Sequence, residues 1–198
     1  MAVSLTKGEK VNLSKAVEKL AKVTVGLGWD MATRGSNIDC DASVFALRTK
    51  KSGLFGKETE RLCKDSDIVY YGNRTHSSGC IKHHGDNLTG DGDGDDEQIT
   101  IDLKDMPEDI TRIVVVINIY ACRSRGQNFG MIKNCFARVV DNGTRQEICR
   151  YNLSNGEYDK ETAMVVCELY RENGEWNFAA VGKGTKDTDI SGLAKRYE

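Results

Sequence analysis

Apolar positions in this chain recur mostly at every second residue. Residues 22–29, KVTVGLGW, put Val23, Val25, Leu27 and Trp29 on one face, the period of a half-buried strand. Residues 38–47, IDCDASVFAL, give a second strand, and residues 67–71, DIVYY, a third. Ile99, Ile101 and Leu103 alternate again. Residues 110–120 carry the run IVVVINIY, β-branched and apolar nearly throughout, which reads as a strand covered on both faces. Residues 136–140, 147–151, 163–170 and 176–181 are further strands. Asn142-Gly143 and Asn173-Gly174 mark turns between them, since Asn-Gly is a strong hairpin signal. At the start, VSL and VNL flank a short polar loop with Gly8 and read as a hairpin over residues 3–13. Residues 50–65 read as a polar, basic loop or hairpin tip, residues 72–84 as a turn region, and Pro107 as part of a turn. Helix is confined to a turn at 15–20 and a short closing segment at 190–197. About nine short strands with so little helix predict an all-β fold, a β-sandwich with short peripheral helices. No linker or long repeat divides the chain, so residues 1–198 are read as a single domain.

Composition changes this picture little. Charged residues at 29% and hydrophobic residues at 39% fit a soluble globular protein. No apolar stretch approaches a membrane span, and the N-terminus has no signal-peptide pattern, so a cytoplasmic location is expected. A net charge of −2 gives no electrostatic case for nucleic-acid binding. Seven cysteines, an odd number without a CxxC pair, point to free thiols. Cys80, in a turn beside His83 and His84, is expected to be the most reactive of them.

Charge becomes informative when it is mapped. Residues 85–99, GDNLTGDGDGDDEQI, hold Asp86, Asp91, Asp93, Asp95, Asp96 and Glu97 and no Lys or Arg, more negative charge than the whole chain carries net. Glycines at 90, 92 and 94 leave these carboxylates unshielded. A hard divalent cation would relieve the repulsion, and calcium takes about 6–8 oxygen ligands from such groups. The alternative is a solvated acidic loop. An EF-hand does not fit, because the sixth position counted from Asp91 is Asp96 rather than Gly and the twelfth is Asp102 rather than Glu. Asp30, Asp39 and Asp41 at strand ends form a second acidic set; if they converge on the loop, two ions become the natural reading. Cys80, His83 and His84 lack a fourth partner for zinc, and no nucleophile elbow or phosphate-cradling loop is present.

Taken together, VGLGWD at 25–30, DCDAS at 39–43, GDNLTG at 85–90, DGDDEQI at 93–99, RGQNFG at 125–130, ETAM at 161–164, ELYR at 168–171 and GEWNFAAVGKG at 174–184 resemble the tellurium-resistance TerD family of stress-response proteins. The resemblance is collinear over essentially the whole chain. It implies a single β-sandwich that binds two calcium ions in a shared acidic site and has no enzymatic activity. It also implies partners among other tellurium-resistance proteins in membrane-linked complexes. Carried over by position, the metal ligands are Asp30, Asp39, Asp41, Asp86, Asn87, Asp91, Asp93, Asp95, Asp96 and Glu97, with Asn73 as a further candidate. The chain departs from the family pattern at Cys40, at Gly72 and at Tyr120-Ala121, where many members have His-Asp. The basic segment at 50–64 is also unlike the family's usual short loop. Two other functions compete with a non-catalytic calcium-binding interaction module. One is a metal-dependent phosphatase or nuclease, which would need open coordination positions and a nearby base. The other is a calcium-dependent lipid or sugar binder, which an exposed apolar or basic rim would favour.

Overall fold

The computed structural model describes residues 2–31, 38–52, 57–85, 94–153 and 156–198. In chain order its strands are β1 (Val3–Leu5), β2 (Lys10–Asn12), β3 (Lys22–Met31), β4 (Cys40–Ser52), β5 (Lys57–Arg61), β6 (Ile68–Val69) and β7 (Ile81–His83). They continue with β8 (Glu97–Asp102), β9 (Ile110–Ile119), β10 (Ile132–Asp141), β11 (Glu147–Asn152), β12 (Ala163–Glu172) and β13 (Glu175–Thr185). The helices are short: α1 (Leu13–Ala16), α2 (Cys122–Arg125) and α3 (Ile190–Ala194). No described helix is long and apolar enough to cross a membrane.

The strands form two sheets. The first runs β1-β11-β10-β3-β8-β7, and the second runs β2-β13-β12-β9-β4-β5, with β6 also pairing β4. The alternation read from the sequence is the cause. Val23, Val25, Leu27 and Trp29 of β3 meet Ala42, Val44, Ala46, Ile113, Val115 and Ile117 of the other sheet in one core. Each such aliphatic side chain, once buried, contributes about 1.5–3 kcal/mol. β9 is covered on both faces, as its unbroken apolar run predicts: Val114 and Val116 join Phe45, Leu47 and Val165 in a second cluster, beneath Leu193 and Ala194 of α3. The fold is thus the expected sandwich of sheets with few short helices.

Several local expectations need correcting. β1 and β2 do not form a hairpin. β1 pairs in parallel with β11, and β2 pairs antiparallel with β13, so they join opposite sheets. Gly8, at φ +88, donates its N–H to Ala180 O (2.7 Å) and fixes the crossing. Of the two readings of residues 50–65, loop or hairpin tip, the second holds: β4 and β5 pair antiparallel there. DIVYY supplies only two strand residues, after a 3₁₀ turn at Asp65–Asp67. The region read as turn after it holds β7, an edge strand on β8. Asn173 (φ 53) and Gly174 (φ 80) form the tight left-handed turn expected of Asn-Gly. The other Asn-Gly pair lies in a longer turn, held by Asp141, whose carboxylate accepts from Gly143 N and Thr144 N.

Register brings the acidic strand ends to one end of the sandwich. Asp30 is the penultimate residue of β3, opposite Lys133; Asp41 is the second of β4, opposite Asn118; and Glu97 opens β8 opposite Leu27.

Candidate metal site at one end of the sandwich

Of the proposed ligands, Asp30, Asp39, Asp41, Asn73, Asp95, Asp96 and Glu97 fall on described residues. Asp86, Asn87, Asp91 and Asp93 lie outside the described residues.

The three consecutive carboxylates that open β8 diverge. Asp95 lies over the outer face of β3, where Gly26 presents no side chain; a Cβ there would stand 2.2 Å from the Asp95 carboxyl carbon. Arg138 of β10 reaches it in a fork, Nε to Oδ1 at 2.7 Å and Nη2 to Oδ2 at 3.0 Å. This bidentate geometry is the strong form of a carboxylate pair. Asp96 extends the bonding along β3: its N–H donates to Leu27 O (2.8 Å), and its Oδ2 accepts from Trp29 N (2.8 Å). Glu97, only 2% exposed, turns inward and crosses to the second sheet, where Oε2 accepts from Ala42 N (2.7 Å). His83 Nε2 stands 3.3 Å from the same oxygen, an ion-pair distance without hydrogen-bond alignment. Gly85 N donates to His83 Nδ1 (3.2 Å), so in the neutral ring the proton sits on Nε2, facing Glu97.

β4 contributes Asp39 and Asp41, which share one side because strand side chains alternate. Both are nearly buried. Asp41 Oδ2 accepts from Asn118 Nδ2 at 3.3 Å. The intervening Cys40 faces the core. Burial first, then Cys135, Glu97, Asp41 and Asp39, push its thiol far up. Burial and then Asp96 push Cys135 up to about 12. These two thiols therefore sit beneath the acidic end.

Asp30 is exposed and accepts from Asn134 Nδ2 (2.7 Å). Asn73 serves its own turn: its amide donates to Ile68 O (2.7 Å), and its backbone pairs with Tyr70 in both directions. Arg138, Asn118, Asn134 and the His83–Glu97 contact were not foreseen. The only signal for Arg138 was the glycine pair at 26 and 28 on the polar face of β3, since glycine inside a strand marks a close approach.

Among the described residues, no group of three or more His, Cys, Asp or Glu side chains is placed to hold a metal ion. The chemistry of the donors nonetheless fits a hard cation: nearly buried carboxylates, an amide oxygen at Asn118 and backbone carbonyls, with no thiolate directed at them. The zinc grouping dissolves. Cys80 Sγ donates to Asp105 O (3.2 Å), His84 Nε2 pairs with Thr100 Oγ1 (2.6 Å), and His83 faces Glu97. Cys80 is also buried; Cys63 is the one cysteine that is not, which moves the expected reactivity from Cys80 to Cys63.

The profile described as the TerD domain matches residues 1–197. A stress response protein of Bacillus subtilis (strain 168), SCP2, is 44% identical over 209 residues, covering 100% of both chains. A tellurium resistance protein TerD of Serratia marcescens is 44% identical over 185 residues, covering 93% of this chain and 91% of its own. The crystal structure of a homologue of telluride resistance protein TerD from Streptomyces coelicolor A3(2) superposes with a TM-score of 0.66 at 22% identity, over 90% of this chain and 98% of that one. The last likeness bears on the fold alone. With a whole-length match to the family and relatives above 40% identity, the chain belongs to the TerD family of tellurium-resistance and stress-response proteins.

Proposed function

We propose that this protein binds calcium, two ions to a chain, at the acidic end of its sandwich, and that it acts there as a non-catalytic interaction module in a cytoplasmic stress-response assembly. The observation that supports the reading is that strand register gathers Asp30, Asp41, Asp96 and Glu97 at one end of the sandwich, with Asp39 and Asp41 nearly buried. In sequence, Asp96 and Glu97 follow closely on the segment that supplies Asp86, Asn87, Asp91 and Asp93. A hard cation would offset the repulsion between them. Asp30 and Asn73 are the outlying members of the set, and Asp95 would have to exchange Arg138 for the metal. Partners drawn from other tellurium-resistance proteins suit the relatives named TerD, TerZ and TerX. A structural role for the histidines supports the absence of catalysis: His76 bridges Ser78 and Asp67, His83 faces Glu97, and His84 holds Thr100.

Calorimetric titration of the metal-free chain decides the matter. The expected result is about two calcium ions bound per chain and weak competition by millimolar magnesium, which prefers strict octahedral geometry and keeps its waters. No calcium heat, or equal displacement by magnesium, overturns it.

One observation favours calcium-dependent lipid binding as a second reading. Tyr71, Tyr120 and Met131 are exposed around this end, together with Arg123, Arg125 and Lys133. Co-sedimentation with anionic liposomes that requires calcium would support it, and calcium-independent absence of binding would sink it.

A further inference from the structure

On the outer face of the second sheet, beside α3, lies a cavity of about 160 Å³. Its floor is Asp41, Ser43 and Asn118, its walls include Tyr70 and Tyr120, and Asp189 stands at its edge. Asp41 and Asn118 are register partners and Ser43 lies two residues along, so all three project from the same side. Ser43 and Asn118 are 1% and 5% exposed. Asn118 Nδ2 is committed to Asp41, which leaves Oδ1 of that amide to the cavity. Neither Asn118 Oδ1 nor Ser43 Oγ meets a hydrogen-bond partner among the described residues. Buried polar atoms of this kind call for a partner, and Asn118 Oδ1 calls for a donor.

We infer that this cavity binds a small organic ammonium ion. Asn118 Oδ1 can only accept, and Asp41 and Asp189 are carboxylates. Among the described residues no Lys, Arg or His lines the space, so an anion would find two carboxylates and no cation there. The Arg125 guanidinium, 5.3 Å from the Tyr120 ring centroid, is stacked on that ring and is not part of the lining. Tyrosine faces attract organic cations. Tyr70 is held edge-on to Tyr71, their centroids 5.2 Å apart, which keeps that wall in position. The volume is room for several waters, more than one dehydrated metal ion fills. A short alkyl amine fits all three features: donors for the acceptors, charge for the carboxylates, and methylenes for the rings.

Calorimetry on the full chain in the presence of a chelator tests this with putrescine, with 1,4-butanediol of the same length and no charge, and with inorganic phosphate. Saturable putrescine binding is expected, without binding of the diol or phosphate. Asp189→Asn should weaken it about tenfold. Asparagine still caps α3 in place of the carboxylate that now accepts from Gly192 N, so the melting temperature should not move. Asp189 is not a proposed calcium ligand, so this result and the calcium result can fail separately. Absence of putrescine binding, equal binding of the diol, or undiminished binding by Asp189→Asn each overturns the inference. So does calcium that displaces putrescine and is itself weakened by Asp189→Asn, which would assign the cavity to a metal.

Discussion

Asp95, Asp96 and Glu97 are adjacent in sequence and alike in chemistry, yet they leave the chain toward Arg138, Trp29 and Ala42. Composition could say only that carboxylates cluster. Asp95 and Asp96 lie in the bend before β8 and Glu97 is its first residue, so the path of the backbone into the strand decides what each one meets. The Asp95 side chain is 2% exposed, so removing its partner strands a buried acceptor. Arg138→Ala should therefore lower the unfolding free energy by about 1–3 kcal/mol, read from urea denaturation midpoints. Gly26→Ala forces Asp95 off the same fork, and the double variant should lose less than the sum of the singles. Strict additivity would show that Gly26 acts elsewhere. Thiol chemistry belongs to this scale too. Cys63 should label quickly, and Cys80, Cys135 and Cys149 slowly, because burial pushes Cys135 and Cys149 up to about 12 and Cys80 is bound to Asp105 O. Peptide mapping after alkylation checks it, and rapid labelling of Cys80 would contradict the burial seen here. The cysteines read as core residues from their apolar neighbours. Cys80 was misread because its partner, Asp105, lies 25 residues away in sequence.

Elements with strong local signals were legible: β3 by its alternation, β9 by its β-branched run, and the β12–β13 turn by Asn173-Gly174. Short edge strands were less so: β1 and β2 read as extended pieces, though wrongly paired as a hairpin, and β7 reads as turn, because three residues carry no period and their partners are distant. The connection from β5 to β7 depends on a network that no spacing announces. Asp67, fully buried, accepts from Arg48 Nη2 (3.0 Å), lies 3.1 Å from His76 Nε2, and His76 in turn meets Ser78. Arg48 also pairs with Asp109. Burial works to raise the Asp67 pKa, but Arg48 and then His76 outweigh it and hold the carboxyl below its usual range. A depressed folded pKa contributes stability above the unfolded value of about 3.9 and loses it as pH falls through the folded value. Asp67→Asn should thus cost stability at neutral pH, and the gap to the unsubstituted protein should close in acid. Urea unfolding at a series of pH values measures this; a gap independent of pH would mean that charge plays no part.

For the whole molecule, the sandwich followed from strand count and turn spacing, whereas the pairing of sheets across the acidic end came only from register. If calcium binds the native chain and not the unfolded one, it should raise the melting temperature, by the equivalent of about 2.7 kcal/mol at a hundredfold excess over Kd. A melting curve indifferent to chelator would remove the tight site. The crossing of β1 and β2 to opposite sheets has a consequence in time. Val3 to Asn12 leave the ribosome long before β11 and β13, the strands they will cover. β1 has nowhere to dock until β11 is made, and β2 nowhere until β13 is made; when those strands emerge each presents an open row of backbone N–H and C=O groups. β1 and β2 are made well before their partners, and once docked they act as clasps on two edges at once. Deleting residues 2–12 should leave the central strands folded but let one molecule lend its bare edge to another, visible as higher-order species in size-exclusion chromatography; a monomer as well behaved as the full chain would mean that those edges need no clasp.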